Sequence, residues 1–225
     1  MLLAIDTSTN QTGLALYDER GLLGECVWQS GRDHSAQLLP QLTLLLWHIG
    51  RARDEIGAVA VALGPGSWSG LRVGMSTAKG FALARGLPIV GVGTLDALVY
   101  QHERPGAATI PLIRLGRARF ATGAATQGGH ERSVLAPRNV TLAEVAAETT
   151  GRALFCGDVD ADVQAALREQ LGNRASFPSP AAAMRRPGYL AELAWQRLRA
   201  GDADDLATIE PIYLGQPVRV KPLEG

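Results

Sequence analysis

Residues 2–17 read Leu2-Leu-Ala-Ile-Asp-Thr-Ser-Thr-Asn-Gln-Thr-Gly-Leu-Ala-Leu-Tyr17. The unbroken apolar stretch 2–5, closed by Asp6, has the pattern of a buried strand. Residues 7–11 are a polar turn, and Gly13-Leu-Ala-Leu-Tyr17 is a second strand. Asp18-Glu-Arg-Gly21 is turn chemistry again, and residues 22–28 form a third strand. Three strands joined by short turns predict an antiparallel meander.

Working outward, residues 34–49 space Leu38, Leu42, Leu45, Leu46 and Ile49 at a helical period, with Pro40 expected to kink the first turns. Residues 57–63 are an apolar strand. Residues 71–85 are a helix stopped at Gly86, which suits a left-handed cap. A strand at 88–92 and a helix at 94–102, capped by Thr94, follow. The order β-β-β-α-β-α-β-α resembles the ribonuclease-H-like half-domain of the actin, sugar-kinase and heat-shock ATPase superfamily. There, two halves face each other across a nucleotide cleft. The expectation is an α/β protein with one half at 1–103, a linker at Arg104-Pro-Gly106, and a reduced second half at 107–225. In that second half, strands are expected at 109–115, 119–125, 132–135 and 152–156. Helices are expected at 141–149, where Thr141 and Glu144 form a capping box, at 159–171 and at 187–200, with Pro187 in the first turn. Residues 209–214 read as a short extended segment.

The chain has 225 residues, 46% apolar and 20% charged, with 22 basic and 22 acidic residues. This composition excludes a disordered tail, a collagen-like fibre and a coiled coil. Neither half is strongly basic, which argues against a stand-alone nucleic-acid reader. Cys26 and Cys156 are too few and too far apart for a disulfide framework. The sequence starts without a basic segment or a long apolar stretch, and its longest apolar run, 42–49, is far short of a membrane span. A cytoplasmic protein with no membrane contact is expected.

Four features bear on chemistry. The turn carrying Asp6, Ser8 and Thr9 could hold a phosphate through its N–H groups and hydroxyls, or could simply satisfy its own backbone. The loop Gly64-Pro-Gly-Ser-Trp-Ser-Gly-Leu-Arg72 lies between a strand and a helix, the layout of a phosphate loop. Its spacing fits neither the P-loop nor the dinucleotide fingerprint, so the bland role of Gly64, Gly66, Ser67, Trp68, Gly70 and Arg72 is a tight turn and close helix packing. His34, His48, His102 and His130 form no metal-ligand pair, and no nucleophile–base pair is visible. The helix 34–49 carries almost two apolar stripes, which predicts either a partner helix or a deep position. Arg114, Arg117, Arg119, Arg132 and Arg138 read as a solvated face.

Leu3-Ala-Ile-Asp-Thr-Ser-Thr9, His34-Ser-Ala-Gln-Leu-Leu-Pro40, Gly64 to Gly74, Ala78-Lys-Gly80 and Gly91-Val-Gly-Thr-Leu95 follow one another in that order. As a set they resemble the TsaB (YeaZ) family, relatives of TsaD. Trp68-Ser69 stands where the family more often has Phe-Thr. Leu115-Gly-Arg-Ala-Arg119 lacks the family's early Asp-Ala-Arg, and Tyr213-Leu-Gly215 replaces its closing Tyr-Leu-Arg. The resemblance implies a non-catalytic subunit that pairs with TsaD, alongside TsaE, in transferring threonylcarbamoyl to the adenosine 3′ of the tRNA anticodon. It implies a helix-bundle interface through Leu38, Leu42, Leu45, Leu46 and Ile49 of one helix and Gly74, Ala78 and Ala82 of the next, or a homodimer through the same helices. It implies no cofactor in the isolated chain, a nucleotide only at the interface with the partner, and tRNA contact only through the complex. The alternatives are an ATP-dependent small-molecule kinase of the same fold, using Asp6 and the Ser8/Thr9 turn, and a peptidase.

Overall fold

The computed structural model describes residues 1–31, 33–104, 107–116, 118–127 and 131–214. The first half runs β1 (Leu2–Asp6), β2 (Gln11–Asp18), β3 (Gly21–Gln29), α1 (His34–His48), β4 (Ala58–Gly64), α2 (Trp68–Arg85), β5 (Ile89–Gly93) and α3 (Thr94–His102). The second runs β6 (Ala108–Arg114), β7 (Phe120–Gln127), β8 (Glu131–Val140), α4 (Leu142–Glu148), β9 (Ala153–Gly157), α5 (Ala161–Leu171), β10 (Ala175–Ser176) and α6 (Pro187–Arg199). The strand orders are β3-β2-β1-β4-β5 and β8-β7-β6-β9-β10. In both sheets the first three strands pair antiparallel and the last two join parallel. The second half therefore keeps the whole element order, and what is reduced in it is the length of α4 and α5.

β1 is buried on both faces, and its side chains alternate between them as the pleat requires. Leu3 and Ile5 face α1 and α2, packing with Leu38, Leu42, Leu45, Leu46, Met75, Ala78 and Ala82. Leu2 and Ala4 face the opposite side and pack with Leu190, Ala191, Leu193 and Ala194 of α6. In the second half, Leu112, Phe120 and Phe155 pack with Val145, Val163, Leu167 and Leu171 of α4 and α5.

The last helix of each half crosses over. α3 packs on β6, β7 and β9 through Leu95, Leu98 and Val99. α6 packs on β1, β2 and β3. Two sheets thus share one structural unit, because each is covered on one face by a helix that the other half supplies or leads into.

Several expectations need correction. α2 begins at Trp68, three residues before the predicted start, because Ser67 caps it by accepting the Gly70 N–H at 3.4 Å. Gly93, not Thr94, is the N-cap of α3; Thr94 is one residue inside, and its hydroxyl is buried without a partner among the described residues. α1 runs through Pro40 without interruption. Residues 209–214 are not a strand, although Ile212 N–H donates to the Leu63 carbonyl at 2.7 Å. β10 was not anticipated. The predicted linker residues 105–106 lie outside the described residues.

Candidate functional site

The end of β1 turns sharply into β2, and Asp6 sits at that bend. Its Oδ1 accepts the Ser8 N–H at 2.9 Å and the Ser8 hydroxyl at 2.6 Å, a local Asx arrangement. The glycine-rich start of α2 then presses on this turn. Ser67 N–H donates to the Ser8 carbonyl at 2.7 Å, and the Thr7 hydroxyl donates to the Gly70 carbonyl at 2.7 Å. A Cβ at Gly66 would collide with the Ser8 carbonyl, and one at Gly70 with the Thr7 carbonyl. These glycines therefore permit close approach of helix to turn, which is the bland role. Trp68, half-exposed, stacks on Tyr213 with centroids 4.1 Å apart, and the Arg72 guanidinium lies 5.9 Å from the Trp68 ring.

The two halves face each other across a cleft of about 980 Å³, whose walls include Thr9, Asn10, Gln11, Arg114, Asp158 and Arg185. Arg185 is only 8% exposed. Its Nη2 donates to the Thr9 hydroxyl at 2.6 Å and lies 3.6 Å from Asp6 Oδ2, and its Nη1 donates to the Ser8 hydroxyl at 3.3 Å. Across the cleft, the Asp158 carboxylate accepts the Arg114 N–H at 2.9 Å. Burial pushes the Asp158 carboxyl above its ordinary value, and the nearby Arg185 charge opposes that shift. The superfamily that the sequence resembles would place a magnesium-bound nucleotide in such a cleft. The residues here do not fit one: a guanidinium already holds the carboxylate and both hydroxyls that would face the metal and the phosphates. Among the described residues no group of three or more His, Cys, Asp or Glu is arranged to hold a metal ion.

The helices α1 and α2 divide their apolar residues between two faces. Leu38, Leu42, Leu45 and Leu46 are buried in the core, Ile49 packs against it, and Gly74, Ala78 and Ala82 are buried facing the sheet. These are the residues that the sequence resemblance places at a partner interface; in the chain by itself their side chains pack on the β-sheet beneath. The other stripe is free. Leu39, Leu44 (50% exposed) and Trp47 (73%) lie on the outer arc of α1, and Leu83 (76%) lies outside on α2. Ser76, Gly80 and Ala84 are also exposed on α2, a small-residue stripe one face away from the buried one.

A family model described as TsaD, tRNA N6-adenosine threonylcarbamoyltransferase, matches residues 28–219. The chain belongs to the TsaB–TsaD family. Within that family it is 29% identical to the tRNA threonylcarbamoyladenosine biosynthesis protein TsaB of Bacillus subtilis, over 95% of this chain and 93% of the relative. It is 34% identical to the protein of the same name from Escherichia coli, over 53% of each chain. The solved structure of YeaZ from Pseudomonas aeruginosa superposes with a TM-score of 0.76 at 22% identity, covering 95% of this chain and 99% of that one.

Arg114 pairs with Asp160 at 2.6 Å, Arg119 bonds Asn139 and lies 3.8 Å from Glu144, and Arg138 pairs with Glu148. These arginines therefore face acids and not a bare basic surface; Arg117 and the Arg132 side chain lie outside the described residues. A Ser–His pair does exist, which the sequence did not reveal: His34 Nδ1 is 2.9 Å from the Ser30 hydroxyl and 2.6 Å from that of Thr12. All three residues are buried, so no substrate reaches the hydroxyls. Desolvation lowers the His34 pKa, and the trio fastens the end of β3 and the start of α1 to β2. Among the described residues no helix is long and apolar enough to cross a membrane.

Sequence reasoning missed Arg185. Its one local sign is the pair Arg185-Arg186 before Pro187, and nothing in that spacing points to a turn some 177 residues earlier.

Proposed function

We propose that this chain is a non-catalytic subunit of tRNA threonylcarbamoyladenosine synthesis that docks a TsaD-type partner through the outer faces of α1 and α2. The observation that carries this reading is the second apolar stripe of Leu39, Leu44, Trp47 and Leu83 on a chain whose core is already filled. Covering each large apolar side chain contributes about 1.5–3 kcal/mol, enough in combination to drive association. The exposed Ser76, Gly80 and Ala84 let a second helix approach α2 closely. The curated TsaB relatives are tRNA threonylcarbamoyladenosine biosynthesis proteins by name, in keeping with this role. On this reading two copies pair through the same surface when the partner is absent, and TsaE and tRNA join through the complex. Any nucleotide belongs at the interface with the partner, in the cytoplasm where tRNA is modified. The kinase alternative is not favoured, since Arg185 holds Asp6, Ser8 and Thr9. The peptidase alternative is not favoured either, since the Ser30–His34 pair is buried.

Leu44→Arg and Trp47→Arg should leave the monomer folded and abolish co-elution with TsaD on size-exclusion chromatography. The buried neighbour Leu42, at 1% exposure, is the control: Leu42→Arg should unfold the chain, since it buries a charge without a partner. Unchanged co-elution of both surface variants would remove α1 from the interface.

A further inference from the structure

The chain between β10 and α6 crosses from the second sheet to the first, and its end is tied down on the first half. Gln101 Nε2 donates to the carbonyls of Ala182 (3.3 Å) and Met184 (2.8 Å), while Gln101 Oε1 accepts the Arg186 N–H at 3.0 Å. Glu25 accepts from the Arg186 Nε at 2.6 Å and from the Gly188 N–H at 3.0 Å. Arg185, between these anchors, has no freedom to swing out, and it points at the β1–β2 turn.

A guanidinium this buried is costly unless a negative charge and hydrogen-bond acceptors surround it. Here Asp6 supplies the charge, and the hydroxyls of Ser8 and Thr9 supply the acceptors. The dependence is mutual, because Asp6 is also buried and Arg185 is its one ion-pair partner among the described residues. Asp158 faces the same cleft from the other half. In the superfamily that the sequence resembles, the aspartate that ends the first strand, the place of Asp6, holds a divalent ion. An arginine side chain and a hydrated divalent ion cannot occupy one place.

We infer that Arg185 is a resident cation: it takes the seat of the divalent ion on this fold, neutralises Asp6 from within the chain, and closes the cleft to magnesium-bound nucleotides. The chain thereby keeps its two halves joined without a ligand, and its shape does not depend on nucleotide. This inference is independent of the docking role, since none of Leu39, Leu44, Trp47 and Leu83 lines the cleft.

The test removes the built-in charge and asks whether an external cation replaces it. Thermal unfolding is followed for the full chain in millimolar MgCl2 and in NaCl of matched ionic strength. The wild type should respond equally to both salts. Arg185→Met should melt several degrees lower and recover part of that loss in MgCl2 alone. Adding Asp6→Asn to Arg185→Met should abolish the magnesium response. If Arg185→Met does not fold, Arg185→Gln, which keeps donors for Ser8 and Thr9 but not the charge, takes its place in the same comparison. Mn²⁺ binding to the wild type, followed by water-proton relaxation, completes the test without any variant. A magnesium-insensitive Arg185 variant would overturn the inference, as would wild-type Mn²⁺ binding that Asp6→Asn removes.

Discussion

The two halves share one strand order and one sequence of elements, yet they use their crossover helices differently. In the first half α1 and α2 have 15 and 18 residues; in the second, α4 and α5 have 7 and 11. The short pair is amphipathic and finished: Val145, Val163, Leu167 and Leu171 are buried, and no large exposed apolar residue lies on either helix. The long pair carries Leu39, Leu44, Trp47, Trp68 and Leu83 outward. Topology alone thus does not call for a partner. The long pair of the first half presents a second apolar face, the one proposed above for docking. The facing turns differ as well, since the β1–β2 turn presents Asp6 while β6 ends at Arg114, which pairs with Asp160.

The equivalence of the halves can be broken most severely at their fourth strands. β4 ends at Gly64 with φ +99°, and β9 ends at Gly157 with φ +98°. A Cβ at Gly64 would meet a Leu71 methyl at 2.8 Å and the Ile212 carbonyl at 2.9 Å; one at Gly157 would strike the Leu112 carbonyl. Alanine suffers both the backbone strain and the collision, so Gly64→Ala and Gly157→Ala should each lose about 2–5 kcal/mol in urea unfolding. Similar losses would show that the repeated geometry is needed in both halves. A variant within about 0.5 kcal/mol of wild type would deprive the correspondence of energetic content.

Acid separates the halves by sign. His34 in the first half has its pKa lowered from 6.5 by burial, so the folded state prefers the neutral ring. Its contribution is complete above pH 6.5 and is lost as pH falls from there toward the folded value. Asp158 in the second half has its pKa raised from 3.8 by burial. Its contribution is complete below 3.8 and is lost as pH rises through the folded value. As pH falls, the two groups therefore act with opposite sign on stability. In stability measured against pH, His34→Asn should remove the acid-side loss and Asp158→Asn the acid-side gain. Unchanged pH profiles in both variants would refute the assignment.

How much of this was legible in the sequence follows from the range of each signal. The meander, the helices and the Thr141–Glu144 box are local, and periodicity or capping chemistry reveals them. The doubled stripe of α1 was legible too, but not which stripe faces inward. Leu38, Leu42, Leu45 and Leu46 are as apolar as Leu39, Leu44 and Trp47, and only the position of the sheet decides between them. The two-residue β10 is too short to show a period. The glycines of the 64–70 loop announced a close approach without saying to what. Arg185 was invisible because its partners Asp6, Ser8 and Thr9 are brought to it only when α6, at the end of the second half, returns to the first sheet.

The smallest contrast lies at the starts of α1 and α4, each the first crossover helix of its half. At α4, Thr141 Oγ1 accepts the Glu144 N–H at 3.2 Å, and the Glu144 carboxylate accepts the Thr141 N–H at 2.6 Å. At α1, Asp33 makes no side-chain cap bond. The α1 start is held instead by the His34 contacts to Thr12 and Ser30. A cap matters where nothing else fixes the first turn, so Thr141→Ala should lose about 1 kcal/mol. Asp33→Ala should stay within about 0.5 kcal/mol of wild type. Both are read from urea midpoints at constant slope. If Asp33→Ala lost as much as Thr141→Ala, the exposed Asp33 carboxylate would be supporting the helix N-terminus through its dipole. The buried His34 trio would then be an ornament of the core, not the fastening of α1.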